Sequence, residues 1–84
     1  TPNPISCLLQ PKLNIRHPID ETLVIEVIDE SGKLISQQKA EYKTSQNIIY
    51  LQVTDFSIGV NILLVKNSQG NILYKTKVVR YCEF

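Results

Sequence analysis

Tryptophan and methionine are missing from this 84-residue chain, histidine occurs once and cysteine twice. One histidine and two distant cysteines, Cys7 and Cys82, do not make a plausible zinc set, and their separation rules out a CxxC redox pair. Long apolar runs are lacking as well. None approaches the ~20 residues that span a bilayer as a helix, and no leader resembling a signal peptide opens the chain. Nor is there an excess of one charge. Nine Lys and Arg stand against eight Asp and Glu, a net charge of +1, which argues against a nucleic-acid groove or a strong membrane patch. No nucleophile, catalytic base pair or metal cluster stands out, so neither an enzyme nor a bound cofactor or metal is expected.

What is present is strand. An apolar fraction of 43% against 20% charged residues is that of a globular chain, and residues 1–84 make one domain, near the size where a single core barely suffices. Because it opens at Thr1, it reads as a mature or excised piece of something longer. Residues 7–16 alternate with a period of two, with Cys7, Leu9, Pro11, Leu13 and Ile15 on one side. Pro11 cannot donate to a ladder, so this strand lies at an edge or breaks there into two pieces. Residues 21–29 form a second strand with Leu23, Ile25 and Val27 inward, and a hairpin at Glu30-Ser31-Gly32-Lys33 leads to a third at 34–38. The polar segment 39–46 is either an edge strand or a loop. Strand resumes at 47–53, bends through Asp55, Ser57 and Gly59 around Phe56, and continues into Ile62-Leu63-Leu64-Val65, an unbroken apolar run suited to burial on both faces. After a polar loop at Asn67-Ser68-Gln69-Gly70-Asn71, the last strand covers 72–80. No amphipathic helix is evident. Six or seven short strands separated by turn signals predict an all-β, antiparallel, immunoglobulin-like β-sandwich, with Leu13, Ile15, Leu23, Ile25, Val27, Leu51, Val53, Phe56, Leu63, Val65 and Val78 in its core.

The order of several short motifs carries a resemblance. Pro2-Asn3-Pro4 at the entry, Asp29-Glu30-Ser31-Gly32-Lys33 at the first hairpin, Phe56-Ser57-Ile58-Gly59-Val60 before the central strand, then Gly70 and the closing Lys75 to Arg80 run resemble the C-terminal sorting domain of the type IX secretion system, the Por secretion tail (type A-like). The likeness covers essentially the whole chain. It implies a domain that ends a secreted cargo protein. Such a domain directs the cargo fused to its N-terminus through an outer-membrane translocon to the cell surface or extracellular space of a Gram-negative bacterium, with shuttle and sortase components as partners. Pro2, Asn3, Pro4, Asp29, Gly32, Lys33, Gly59 and Gly70 stand at the family's pattern positions. Lys75, Lys77, Val78, Val79 and Arg80 are the candidates for recognition by the translocon. Two departures stand out. Asn61 replaces the usual aromatic and alternates with Leu63 and Val65, so it faces inward and needs hydrogen-bond partners. The chain also continues past the basic stop through Tyr81, Cys82, Glu83 and Phe84.

Other readings compete. An immunoglobulin- or fibronectin-like spacer or adhesion module, carbohydrate-binding included, is the alternative. Tyr42, Tyr50, Tyr74 and Tyr81 would be its stacking platform, against the plainer role of cross-strand packing. His17 has no obvious Ser, Cys or carboxylate constellation beside it and reads as a loop residue before Pro18. Asp20, Glu21, Asp29 and Glu30 lack the dense oxygen spacing of a calcium loop and read as solvated turn carboxylates. Cys7 and Cys82 are compatible with two separate thiols or with a bridge, which over so long a loop would contribute roughly 4 kcal/mol. The family's usual seven strands would set them about a strand length apart and so predict no intramolecular bridge.

Overall fold

Alternation of apolar residues decides which faces of these strands meet. The computed structural model describes residues 5–6 and 10–81, with side chains from residue 10 onward. Seven strands lie within them: β1 (Ile5–Ser6), β2 (Lys12–Asn14), β3 (Glu21–Asp29), β4 (Leu34–Tyr42), β5 (Ile48–Tyr50), β6 (Gly59–Lys66) and β7 (Ile72–Tyr81). The main sheet has the order β1-β7-β6-β3-β4, and β2 pairs with β5 in a small second sheet. Every pairing is antiparallel except β1 with β7, which is parallel, with Ile5 opposite Arg80 and Ser6 opposite Tyr81. The layout is the two-layer antiparallel sandwich expected, extended at one edge by a short parallel strand.

The core lies between the layers. Leu23, Ile25 and Val27 of β3, Leu63 and Val65 of β6 and Val78 of β7 are buried against Leu13 of β2, Ile49 of β5 and Leu51. Ile15 and Val53, expected inside, are partly buried and pack against this cluster. Phe56 closes one end of it. A short 3-10 turn at Val53–Asp55 drops Phe56 into place, fixed by the Gln52 amide on Asp55 Oδ2 at 2.9 Å and by the Ser36 hydroxyl on the Asp55 carbonyl at 3.0 Å.

Tyr42 closes the other end, with only 1% of its surface exposed. Its hydroxyl accepts the His17 amide at 2.9 Å and donates toward Asn47 Oδ1 at 3.0 Å, with the Ile15 carbonyl at 3.3 Å. Tyr42 thus ties the exit of β2 to the turn between β4 and β5. The segment 39–46, open in sequence between strand and loop, is divided. Its first half continues β4 to Tyr42, and its second half is a turn bridged by Lys43 and Gln46. It reads as polar because β4 is an edge, where Lys39 and Glu41 face solvent.

Of the first stretch, the described residues hold two short pieces in different sheets, β1 and β2, and the Pro11 carbonyl accepts the Leu51 amide at 3.0 Å just before β2 begins. Among the described residues the count of seven includes β1 and β2 separately, and residues 39–46 add no strand of their own. Pro2, Asn3, Pro4, Cys7 and Cys82 lie outside the described residues, and so does the expectation about a bridge.

Candidate recognition site on the last strand

Two hairpins built to one plan hold β3 and β7 against their neighbours. In the first, Asp29 Oδ1 accepts the Ser31 amide (2.9 Å), the Ser31 hydroxyl (2.7 Å) and the Lys33 amide (2.9 Å). In the second, Asn67 Oδ1 accepts the amides of Gln69 (3.0 Å) and Asn71 (2.9 Å). Gly32 and Gly70 take the fourth position of each at φ +89° and +86°, the left-handed region where a side chain is disfavoured. In each hairpin the strand register shifts beside the turn, at Val27/Ile28 and at Val65/Lys66, as a turn followed by a bulge requires. Asp29, Gly32 and Gly70 are therefore turn-forming residues. The Ser31 hydroxyl, then the Lys33 and Ser31 amides, hold the Asp29 carboxyl below its ordinary range.

Gly59 opens β6 at φ +105°, and two residues on Asn61 is fully buried. Its Oδ1 accepts the Ser57 amide and hydroxyl, both at 2.9 Å. Its Nδ2 donates to the carbonyls of Ser57 (2.9 Å), Gly59 (3.2 Å) and Val78 (3.3 Å). An inward Asn is thus fully satisfied, and it fastens the bend to β6 and β7.

The five recognition candidates do not form one patch. Alternation along β7 sends Lys75, Lys77 and Val79 to the outer face of the main sheet, and Val78 and Arg80 to the inner one. Val78 is core, 1% exposed. Arg80, opposite Gly59, donates from Nη1 to the Phe56 carbonyl at 2.5 Å. Its Nε is buried without a hydrogen-bond partner. Those two residues hold the strand in place, while Lys75, Lys77 and Val79 lie on the outer face.

The competing sites separate. Tyr42 is core, Tyr50 projects from the small sheet at 61% exposed, and Tyr74 and Tyr81 sit on opposite faces of β7, so the tyrosines make no shared platform. Asp20 and Glu21 lie at the start of β3, while Asp29 and Glu30 lie at its far end. Asp20 Oδ1 accepts the Thr44 amide at 2.7 Å. His17 does have a carboxylate partner that the sequence reading missed: its Nε2 contacts Glu21 Oε2, and its ring stands edge-on to Tyr42. The i,i+4 spacing was the available signal, and an extended turn rather than a helix realises it. Among the described residues no group of three or more His, Cys, Asp or Glu could hold a metal, and no helix is long and apolar enough to cross a membrane.

No curated protein and no solved structure matches the chain significantly. A family model, described as the secretion system C-terminal sorting domain, matches residues 2–80. This is not an enzyme family, and its match favours a sorting signal over a spacer or adhesion module. The chain belongs to the type IX secretion C-terminal sorting domains, signals that send a cargo out to the cell surface or extracellular space of bacteria.

Proposed function

We propose that this domain ends a larger secreted protein of a Gram-negative bacterium and is read, as a folded unit, by the outer-membrane translocon and its shuttle or sortase components. The outward side chains of β7, Lys75, Lys77 and Val79, are the part of the last strand that this machinery contacts. The observation that carries the reading is the family match across residues 2–80, together with a last strand whose alternate residues are committed to the core. The domain has no chemistry of its own in this scheme. It supplies a rigid surface, and the address is a shape with charges rather than a flexible peptide.

The test is to fuse residues 1–84 behind a fluorescent reporter in a bacterium that carries the type IX system. Surface reporter is then measured by antibody access to intact cells. Delivery that depends on the fused domain is the expected result. Reporter retained in the periplasm, from a fusion shown to be folded and intact, would refute the reading.

A further inference from the structure

The two edges of the main sheet differ. On one side β7 is flanked by β1, whereas β4 ends the sheet on the other. Beyond β3, the backbone of residues 35–41 has no hydrogen-bond partner among the described residues, so a strand of nine residues turns a row of amides and carbonyls outward. Such a row is a template for another strand, which natural edges blunt with proline, inward charges, bulges or lysine. β4 has no proline, and its bulge lies at the hairpin end, beside Leu34. Its protection is charge alone. Lys39 and Glu41 are both exposed on the outer face. A lysine by itself repels a strand like its own, but a lysine two residues from a glutamate does the reverse in one register.

Neither charge has an ionic partner among the described residues. Glu41 accepts the hydroxyl of Thr22, its neighbour on β3, on Oε1 at 2.5 Å. That bond orients the carboxylate and leaves Oε2 open. Lys39 lies beside Val24, with no acid within the chain to answer it. The two side chains stand roughly 7 Å apart along the strand.

Two copies joined along β4 by a two-fold axis run antiparallel. Residues directly opposite then share a face, so the axis falls on a residue. An axis at Lys39 sets lysine against lysine, and one at Glu41 sets glutamate against glutamate. An axis at Gln38 sets Lys39 against Gln37 and Glu41 against Ile35. An axis at Ala40 sets Lys39 of each copy opposite Glu41 of the other, twice over, with the smallest side chain of β4 at the centre. Charge therefore selects one register of the four.

We infer that the β4 edge pairs with a second copy of this chain, antiparallel about Ala40 and held in register by two Lys39–Glu41 ion pairs. The partner it fits is a strand carrying a base and an acid in this spacing, met head to tail, and this same strand supplies them. The inference stands apart from the sorting function.

A ladder this short buries less than the roughly 1,200 Å² at which standard interfaces begin, so the dissociation constant should be on the order of 100 μM. Sedimentation equilibrium of residues 1–84 between about 10 μM and about 1 mM brackets that value. Lys39→Glu and Glu41→Lys each set like charges opposite one another at two places, and each should weaken the dimer at least about tenfold. Lys39→Glu/Glu41→Lys exchanges the charges and should return the constant to within about threefold of wild type. Lys12→Glu, on the small sheet, should change nothing. Circular dichroism melts check each fold, and if one single reversal melts early, the other and the exchange decide. A wild type that stays monomeric throughout the range overturns the inference. So does a dimer indifferent to both single reversals, which would lie on another surface, or an exchange variant no stronger than the single ones, which would rule out this register. A monomeric wild type whose delivery of a fused reporter is lost in Lys39→Glu would give the edge to a different protein, and that too overturns pairing with a second copy.

Discussion

Replacing Asn61 by Ala should be among the most damaging single changes in the domain, although it removes no apolar group. The side chain is fully buried and carries five hydrogen bonds, three of them at 2.9 Å to Ser57. Ordinary hydrogen bonds are worth about 1 kcal/mol net, and a buried group left without its partner costs 1–3 kcal/mol. The two longer contacts, to the Gly59 and Val78 carbonyls, add little. Ser57 is only half-buried and regains some water, so the loss should be about 3 kcal/mol. For a domain holding roughly 5–10 kcal/mol in all, that is roughly a third to three-fifths, and it lowers the thermal midpoint by roughly 12–24 °C. Melts followed by far-ultraviolet circular dichroism measure it. Asn61→Leu separates hydrogen bonding from volume, because it fills the space and still strands the Ser57 amide. It should melt as early as Asn61→Ala. If either variant kept its midpoint within about 4 °C of wild type, equivalent to under 1 kcal/mol, the polar knot would not be what fastens the bend to β6.

Other expectations follow from the same geometry. Leu63→Ala, at a fully buried site in β6, should cost about 2–5 kcal/mol in a urea melt. Gly59→Ala meets nothing closer than Glu30 Oε1 at 3.8 Å, so its cost is backbone strain at φ +105°, about 1–3 kcal/mol, and Gly59→Val should not be rescued by trimming Glu30. The lowered Asp29 carboxyl contributes stability that is present above its unfolded value near 3.9 and is lost as pH falls through its lower folded value. In Asp29→Asn the acid limb of the unfolding curve should flatten, and carboxyl carbon shifts should show the wild-type group titrating low.

Much of this architecture was legible in the sequence because the strands alternate cleanly. Leu23, Ile25 and Val27, or Leu63 and Val65, announce their inward face by spacing alone. The hairpins were legible because Asp29 with Gly32 and Asn67 with Gly70 are side chains whose chemistry is local. What escaped was decided between distant segments. Tyr42 sits among polar residues, and its burial comes from the turn and loop groups its hydroxyl gathers, Asn47 and the backbone of Ile15 and His17. The parallel pairing of β1 with β7 joins the two ends of the chain, and no local pattern signals parallel partners 75 residues apart. Leu64, by contrast, was legible: it is 8% exposed on the outer face, as an unbroken apolar run suited to burial on both faces implies. The five recognition candidates, contiguous or nearly so in sequence, divided between two faces for the simple reason that a strand has two.

That division bears on how the address should be probed. Deleting residues 77–84 is the obvious test of a C-terminal signal, yet it removes far more than a signal. Val78 leaves the core, Arg80 leaves the Phe56 carbonyl, and the β6 pairings of Lys77, Val78, Val79 and Arg80 disappear. Loss of a buried valine and its neighbouring ladder costs several kcal/mol, comparable with the whole stability of a domain this size. The truncated fragment should therefore be unfolded by circular dichroism, and lost delivery of its cargo would report folding as much as recognition. A single Lys77→Glu change keeps the backbone and should leave the melt within about 0.5 kcal/mol of wild type, as surface substitutions do, while weakening delivery. A folded truncated fragment that still delivers its cargo would contradict both the structural role given to Val78 and Arg80 and a signal read from the last strand.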